Sequence, residues 1–502
     1  MRTIRFALAL LPSLILLHLF AGFAAPHDPD LGYHLRIGDY VLQEQRVPTI
    51  DNTRIESENS EIAYSWLPDV TLAVLEQRGG VLGLRLWVIA GMLVLSIGAA
   101  ALLYGRVRIL QASIVLFLLS LTFTQLVSPR PRLWGTTLFV FLLIALRPEQ
   151  FEANRRGVFS RIIALSLIII LWANVHISVV LAPLLVTIYA VGAFFGNAPG
   201  YTLGTAVSYV VASVLSLLAN PYGWKLLLVG VEFSSLQGEL ISAHVVELVR
   251  FNELSFPWPI WMWGAVALFL IWVVRALADL RALLRERKFP RAFSRDALAL
   301  HGIVVLTLVL ALQSTRHIPL LAVAIALALS RHERPKPVVP TSHAVVGTVL
   351  FLLATGVGLK QGAWAPAWYD SELTNSRYPT RALQIVSPIL RRASVSGEPW
   401  RILTPFGDGH FVSWWLAEQG LAPSAQVLLD GRLDRLGQER FMMVRNAYRG
   451  NCWQEIVDRY RIDMIMVNES EELYKELLVQ PTWVPLGGSP TVVFISKERL
   501  FG

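Results

Sequence analysis

The run GLRLWVIAGMLVLSIGAAALLY, residues 83–104, contains a single charged residue, Arg85, and is long enough to cross a lipid bilayer. Other apolar runs of similar character recur along the chain. They cover residues 6–25, 109–127, 133–146, 160–175, 177–195, 202–219, 258–274, 297–313, 317–330 and 342–360. The pattern predicts a polytopic α-helical membrane protein with about eleven transmembrane helices.

The composition agrees with a membrane protein and disagrees with a soluble one. Of the 502 residues, 54% are hydrophobic and only 16% are charged, whereas soluble domains carry about 25% charged residues. The single cysteine, Cys452, excludes an intrachain disulfide and a metal site built from cysteines.

The chain has a net charge of +8, and its basic residues are concentrated in some of the connections between the apolar runs. Lysine and arginine cluster at 106–108, 147–161, 275–295 and 331–336, which is the distribution expected of cytoplasmic loops. It favours a multi-pass protein of the cell (inner) membrane over a nucleic-acid-binding protein. With a cytoplasmic N-terminus and an odd number of spans, the tail is predicted to be periplasmic or extracellular. Gly22-Phe23-Ala24 would suit signal-peptide cleavage, but the many later spans favour an uncleaved first helix.

Two polar segments interrupt the apolar pattern. We predict a transmembrane module over 1–360, with a first external loop at 26–80, and a small extracytoplasmic α/β domain over 361–502. In the tail, strand-like and helix-like runs alternate. They are Gln426–Leu429, Met464–Val467 and Thr491–Ile495 for strands, and Trp453–Tyr460 for a helix.

The first external loop opens with HDPDLGYH, residues 27–34. Asp28 and Asp30 would share one face of an extended segment, and either could cap a helix that starts here. Carboxylates at a membrane surface can act as a general base, bind a metal or pair with arginine. The alternative is a helix cap with ordinary surface charge. His34 and Asp69 extend the polar character of the loop.

Further polar residues lie at the ends of apolar runs, on the same predicted side of the membrane. They are Arg130 (with Arg132), Asn174, His176, Arg316 and His317. Ionisable groups at membrane depth are costly and are therefore functional candidates. Arginine can bind a lipid phosphate through paired hydrogen bonds. The alternatives are snorkelling to headgroups for arginine and a structural hydrogen bond for histidine.

The loop resembles the first external loop of bacterial integral membrane glycosyltransferases of the GT-C type, in which Gly32-Tyr33 would replace a tryptophan pair. The resemblance extends over the chain and rests on separate short motifs. They are Asp28-Pro29-Asp30 with Tyr33-His34, Gly38, Pro48 and Asp51; Trp172–His176; Asn220–Trp224; Arg316–Pro319; and Asp430-Gly431-Arg432 with Trp453 and Trp483.

The resemblance implies a GT-C-like fold and transfer of a sugar from a polyprenyl-phosphate donor to an extracytoplasmic acceptor, which would be a glycolipid, glycan or protein. It implies Asp30, or else Asp28, as the catalytic carboxylate, with a possible divalent cation, Mg²⁺ or Mn²⁺, on this pair. The substrate-binding residues that it implies are His34, Asp69, Arg130, Asn174, His176, Arg316 and His317. The partners would be the lipid-linked sugar and membrane lipids, without nucleic acid.

Two other functions also agree with these features. One is a polysaccharide polymerase or ligase acting on lipid-linked oligosaccharides, although the main loop of such enzymes usually comes late in the chain. The other is a transporter or envelope scaffold without enzymatic activity. A transporter would be expected to carry charges within its spans, whereas these spans are mostly apolar with polar residues at their ends. The transferase hypothesis expects the acidic pair and Arg316 to share a cavity at the outer lipid boundary.

Overall fold

The computed structural model describes residues 28–49, 55, 62–103, 109–146, 155–195, 202–229, 258–286, 297–330, 378–393, 399–422, 424–429 and 438–501. The predicted first span, the run at 342–360, Asp51 and the Asp430-Gly431-Arg432 motif lie outside the described residues. The contacts divide the chain into two compact units. The first contains Met1–Ala24 and Arg85–Ala365, and the second contains Ala25–Leu84 and Pro366–Gly502.

Helices dominate the first part of the described chain, and strands are found only near its end. In chain order the helices are α1 (Leu31–Glu44), α2 (Trp66–Leu103), α3 (Ile109–Phe123), α4 (Arg132–Ala145), α5 (Arg155–Ala173), α6 (Ala182–Phe195), α7 (Leu203–Leu217), α8 (Ile260–Glu286), α9 (Ala297–Gln313), α10 (Ile318–Leu329), α11 (Thr380–Ala393), α12 (Gly409–Glu418), α13 (Gln438–Tyr448), α14 (Trp453–Tyr460), α15 (Glu472–Leu478) and α16 (Lys497–Phe501). The strands are β1 (Trp400–Leu403), β2 (Ala425–Val427), β3 (Met464–Asn468), β4 (Trp483–Leu486) and β5 (Thr491–Ser496).

The predicted apolar runs that fall in described residues are helical. Four helices are long and apolar enough to cross a membrane: Trp66–Leu103, Arg156–Ala173, Ile177–Phe195 and Trp261–Ala278. Shorter apolar helices occupy Gln111–Leu126, Arg132–Ala145, Leu203–Leu217, Ala299–Gln313 and Thr315–Leu329. Large apolar side chains such as Leu167, Leu215 and Val274 lie exposed on these helices, as expected of surfaces that face lipid. The chain is a polytopic helical membrane protein.

In the first unit, α10 is an interior helix. Every residue from Ile318 to Ala328 is buried, because a helix that is apolar on all sides is stable only where other helices surround it. Its neighbours include α8, α9 and α3. Glycine permits close helix packing in this unit, since a Cβ on Gly264 of α8 would lie 2.5 Å from the Leu118 carbonyl oxygen of α3.

The second unit is built around a five-stranded sheet of order β2-β1-β3-β5-β4. Strand β1 pairs in parallel with β2 and β3, whereas β5 is antiparallel to β3 and β4. Buried residues such as Ile465, Phe494 and Trp453 form the core that joins the sheet to its helices. The predicted runs Met464–Val467 and Thr491–Ile495 lie within β3 and β5, the run Gln426–Leu429 overlaps β2 only at its first two residues, and α14 has the predicted bounds.

Most described residues of the first loop lie in helices α1 and α2, and the loop belongs to the second unit. Helix α1 buries Leu31, Leu35 and Ile37, and a Cβ on Gly32 would lie 2.4 Å from the carbonyl oxygen of His410 in α12. The sequence had grouped loop 26–80 with the spans. The apolar face of α1 instead packs on the tail, so the contacts group this loop with residues after 365. Helix α2 has non-helical backbone at Gly80, the predicted end of the loop.

Candidate functional site

The two aspartates of the first loop form a tight turn at the start of α1. Oδ1 of Asp28 accepts a hydrogen bond from the backbone N–H of Asp30 (2.9 Å), and the Asp28 carbonyl oxygen accepts one from the N–H of Leu31 (3.1 Å). Asp30 occupies the N-cap position, yet its side chain makes no capping hydrogen bond. Its carboxylate is 35% exposed. Helix formation therefore leaves the Asp30 carboxylate accessible for other contacts.

Asp28, in contrast, is buried at 3% exposure. The hydroxyl of Tyr378 accepts a hydrogen bond from the Asp28 N–H (3.1 Å) and lies 3.1 Å from the Asp28 carbonyl oxygen, to which it can donate. The Tyr378 ring stacks on Phe411 of α12, with centroids 4.3 Å apart and an angle of 13° between the planes. The backbone of the acidic turn is thus fixed by residues that follow it by 350 positions.

One helical turn after Asp30, His34 forms a buried pair with Asp69. Its Nδ1 donates to Oδ1 of Asp69 (2.8 Å), and the Ser65 hydroxyl donates to Oδ2 of the same carboxylate (3.1 Å). Burial acts to lower the pKa of His34, but the charge and hydrogen bond of Asp69, with the charges of Asp30 and Asp28, outweigh burial and raise it. The pKa of His34 is therefore coupled to the charges of Asp69, Asp30 and Asp28.

His410, at the start of α12, lies beside Asp30. Its Nε2 is 3.6 Å from Oδ1 of Asp30, and its side chain is 3% exposed. The imidazole packs on Tyr33 with ring centroids 5.4 Å apart. In the sequence, Phe406–His410 is a glycine-rich stretch that matches no phosphate-binding spacing. It held no sign that this histidine faces a loop almost 380 residues earlier.

Asp39 is a second polar residue of α1 that sequence reasoning missed. It accepts hydrogen bonds from Gln77 (Nε2 to Oδ1, 2.7 Å) and Trp414 (Nε1 to Oδ2, 3.1 Å). Burial raises its pKa to about 6, opposed by the Trp414 and Gln77 hydrogen bonds and assisted by the nearby Glu418 charge. These bonds tie α1 to both α2 and α12.

Asp28 and Asp30 are the residues predicted to bind a divalent cation. Among the residues that the structure describes, no group of three or more His, Cys, Asp or Glu side chains is arranged to hold a metal ion. Oδ1 of Asp28 is already occupied by the Asp30 amide. The oxygen atoms of Asp28 and Asp30 have the chemistry that Mg²⁺ and Mn²⁺ prefer, but such ions would need further ligands from substrate phosphate or water.

In the first unit, Arg316 and His317 lie in a single turn of 3₁₀-helix, Thr315–His317, between α9 and α10. Nδ1 of His317 donates to the Leu310 carbonyl oxygen (3.2 Å). Within the described part of the chain, the half-buried Arg316 guanidinium makes no hydrogen bond and no ion pair. Arg316 is therefore available to bind an anion.

The segment that carries Arg130 is attached to the same turn through Gln125. Nε2 of Gln125 donates to the Thr315 carbonyl oxygen (3.2 Å), and Nη2 of Arg132 donates to the Gln125 carbonyl oxygen (2.9 Å). The structure thus brings the arginine pair before α4 close to the turn of Arg316 and His317, as the positions of these residues at span ends suggested.

Asn174 and His176 organise the ends of their own helices. Nδ2 of Asn174 donates to the carbonyl oxygens of Ile170 (2.8 Å) and Ala219 (2.9 Å), which joins the ends of α5 and α7. Nδ1 of His176 accepts from the N–H of Ser178 (3.1 Å) and so caps the 3₁₀-helix Ile177–Leu181. These contacts agree with a structural role for both residues.

No protein-family model matches the chain, and no curated protein sequence matches it. The oligosaccharyltransferase AglB from Archaeoglobus fulgidus, solved with an inhibitory peptide and a dolichol-phosphate, gives a TM-score of 0.58 at 10% identity, covering 92% of this chain and 69% of that one. An A. fulgidus oligosaccharyltransferase solved with zinc and sulfate gives 0.51 at 10% identity, covering 92% and 68%.

The match to ArnT from Cupriavidus metallidurans, solved with undecaprenyl phosphate, covers 97% of each chain at 12% identity. Its TM-score of 0.36 is too low to show a shared fold. The oligosaccharyltransferase matches show that the chain has the fold of these membrane glycosyltransferases. The resemblance to the GT-C type predicted from the sequence is confirmed for the fold. Nine of the predicted apolar runs are helices in the described residues.

Proposed function

We propose that the protein is a membrane glycosyltransferase that moves a sugar from a polyprenyl-phosphate donor to an acceptor outside the cytoplasm. The observation that carries the proposal is the state of Asp30. Its carboxylate is accessible, it is not used to cap α1, and it lies in a turn that Asp28 and Tyr378 hold in place. The fold shared with membrane oligosaccharyltransferases supplies the class of donor.

In this proposal Asp30 is the catalytic base. It accepts the proton of the acceptor group as that group attacks the anomeric carbon, and the bond from that carbon to the phosphate oxygen breaks. The lipid phosphate leaves with the bonding electron pair, and the anomeric centre inverts. A positioned general base contributes about 10²–10⁴-fold to such a step. Asp28, which is buried and bonded to the backbone, is assigned to holding the turn.

His34 and Asp69 would support the same site from within α1 and α2. The buried His34–Asp69 pair lies one helical turn from Asp30, and the charges of Asp30 and Asp28 contribute to the raised pKa of His34. We therefore assign His34 and Asp69 an electrostatic and positioning role, and the sequence-based prediction that they contact substrate stays a prediction.

Arg316 is the proposed phosphate-binding residue, with His317 and Arg130 assisting. A guanidinium with unused donors can form a bidentate pair with a phosphate, and it would stabilise the charge that develops on the leaving lipid phosphate. Support comes from the local structure, in which the arginine segment at 130–132 and the turn of Arg316 are joined through Gln125. Asn174 and His176 are not needed for this role.

Asp28 and Asp30 are also the residues that would hold a divalent cation, if transfer uses one. A bound cation would neutralise negative charge on the donor phosphate. No step of the proposed reaction depends on the cation, because the arginines supply positive charge. Chelation of membranes with EDTA, followed by addition of Mg²⁺ or Mn²⁺, decides between the two routes.

The proposal also assigns the sides of the membrane. The distribution of lysine and arginine favours a cytoplasmic N-terminus and an extracytoplasmic position for the second unit, in the inner membrane of a two-membrane cell. A phosphatase that is active only outside the cytoplasm, fused after Gly502, should be active. A fusion after Arg156, in a predicted cytoplasmic connection, should be inactive.

A second donor class is favoured by one observation, since the matching folds are those of oligosaccharyltransferases. Transfer of a lipid-linked oligosaccharide, as in the polymerase or ligase alternative, would use the same carboxylate. Membranes containing the protein should be assayed with labelled polyprenyl-phosphate monosaccharides and with lipid-linked oligosaccharides. Transfer from the first donor supports the proposal, and transfer from the second alone supports the alternative. No transfer from either, together with lipid or glycan transport, would support the non-enzymatic function.

A further inference from the structure

We infer that His410 is a positioning residue for the Asp30 carboxylate, so that the α/β domain completes the catalytic turn. The inference rests on the proposed function and deepens it. Both residues belong to the second unit, and their contact lies within it. The tail thereby acquires a role in transfer that the sequence did not assign to it.

The first support is the contact between the two side chains. Nε2 of His410 lies 3.6 Å from Oδ1 of Asp30, a distance that suits an electrostatic pair and is slightly long for a direct hydrogen bond. The imidazole is almost completely buried, while the carboxylate is one-third exposed. The histidine therefore approaches Asp30 from the protein side and leaves the solvent-facing part of the carboxylate open to an acceptor.

The second support is the close approach of the two backbones. A Cβ on Gly32 would lie 2.4 Å from the His410 carbonyl oxygen and 2.6 Å from Cα of Phe411, so only glycine fits at this point of α1. The ring of Tyr33 covers one side of the imidazole. Because the backbones of α1 and α12 are in contact here, the position of His410 relative to the acidic turn is fixed by backbone packing rather than by a flexible side chain.

The third support is that α12 contacts the acidic turn at two places. Phe411, next to His410, stacks on the Tyr378 ring whose hydroxyl bonds the Asp28 backbone. The same turn of α12 thus holds the backbone of Asp28 and faces the side chain of Asp30. Such an arrangement limits the rotation of a catalytic carboxylate, and orientation of this kind contributes to rate without changing substrate affinity.

The experiment compares three single variants in the full-length protein, purified in detergent or held in membranes. His410→Phe keeps a ring against Tyr33 but removes the nitrogen beside Asp30. His410→Gln retains an amide nitrogen at a similar reach. Ser413→Ala is the matched control, because Ser413 is buried in the same helix and its hydroxyl has no hydrogen-bond partner among the residues that the structure describes.

We expect His410→Phe to lower kcat by about 10–100-fold, the usual effect of removing a partner that orients a reacting group. The KM for the donor should stay within about twofold, since the donor-binding arginines are unchanged. His410→Gln should recover part, but not all, of the lost kcat, and Ser413→Ala should match the wild type. The melting temperature of each variant shows whether it is folded. If His410→Phe does not fold, the kcat of His410→Gln is the deciding measurement, and we expect it to be lower than the wild-type value at an unchanged KM.

A wild-type kcat in His410→Phe would overturn the inference. Equal reductions of kcat in His410→Phe and His410→Gln would also overturn it, because they would show that His410 acts only through its packing. If His410→Phe does not fold, a wild-type kcat in His410→Gln would overturn it. These outcomes require an active wild-type protein and leave the proposed function intact. Absence of transfer by the wild-type protein with every donor would reject the proposed function, and the inference with it.

Discussion

The Tyr378 hydroxyl lies 3.1 Å from both the backbone nitrogen and the carbonyl oxygen of Asp28, so one side chain from the tail closes the acidic turn of the first loop. Both groups are buried. Local sequence gives no reason for the two residues to meet, yet the position of Asp30 two residues later depends on this contact. The first loop and the tail therefore form one structural unit around the proposed base.

Replacing Tyr378 by phenylalanine should destabilise this unit. The change leaves the ring stacked on Phe411 but removes the hydroxyl. The buried Asp28 N–H then loses the Tyr378 oxygen, at a cost of about 1–3 kcal/mol, while the Asp28 carbonyl keeps its hydrogen bond from Leu31. We expect a lower melting temperature and a lower kcat. Tyr474→Phe is the control, because no hydrogen bond of its hydroxyl is recorded among the described residues. Equal melting temperatures for wild type and Tyr378→Phe would contradict the role of the hydroxyl.

The His34–Asp69 pair predicts a dependence of stability on pH. Because the pKa of His34 is raised in the folded protein, its stabilising contribution is complete below the unfolded value of about 6.5 and is lost as pH rises through the folded value. Asp69→Asn removes the charge that raises this pKa. The melting-temperature difference between wild type and Asp69→Asn should therefore be largest near pH 5.5 and shrink at alkaline pH. A difference that is constant with pH would show that the pair does not titrate in this way.

Asp408, the residue before α12, predicts a second loss of stability with rising pH, and here the variant differs most from wild type at high pH. Burial and the charge of Glu471 raise its pKa to about 7, so the folded protein loses stability as pH rises from about 4 through 7, where the carboxyl must ionise. Asp408→Asn should raise the melting temperature relative to wild type at pH 8 and have a smaller effect at pH 4. Asp458→Asn, at an exposed carboxylate, serves as the control. The same effect of Asp408→Asn at both pH values would be inconsistent with this prediction.

Arg316 should act on the donor rather than on the acceptor. Arg316→Gln removes a charged donor of hydrogen bonds to phosphate, which is worth about 1.5–3 kcal/mol, so the KM for a polyprenyl-phosphate donor should rise by about 10–100-fold. Arg316→Lys keeps the charge but loses the bidentate geometry and should be intermediate. Arg156→Gln, at an exposed arginine of α5, should match the wild type. An unchanged donor KM in Arg316→Gln would remove this residue from phosphate binding.

Periodic features of the sequence predicted much of the fold. Continuous apolar runs such as 177–195 are helices, and the run Met464–Val467 is a strand, because each pattern reports local burial. The grouping of loop 26–80 with the tail was not predicted. It depends on contacts such as Gly32 against His410 and Tyr378 against Asp28, whose partners are separated by more than three hundred residues and leave no periodic signal.

The candidate site was predicted in part. Within the second unit Asp28, Asp30, His34 and Asp69 lie together, and within the first unit Arg316 and His317 share a turn that Gln125 joins to Arg132. His410 was missed, since a buried histidine in a soluble-looking tail has many structural explanations. His176, proposed to bind substrate, makes the hydrogen bond of a helix cap.

The most direct test is the transfer rate of Asp30→Asn with a labelled polyprenyl-phosphate sugar in membranes. Asparagine preserves the size of the side chain and cannot accept a proton, so kcat should fall by at least about 10²-fold while the melting temperature stays close to wild type. Glu44→Gln, at an exposed carboxylate of the same helix, should keep full activity. Wild-type transfer by folded Asp30→Asn would contradict the claim that this carboxylate is the base.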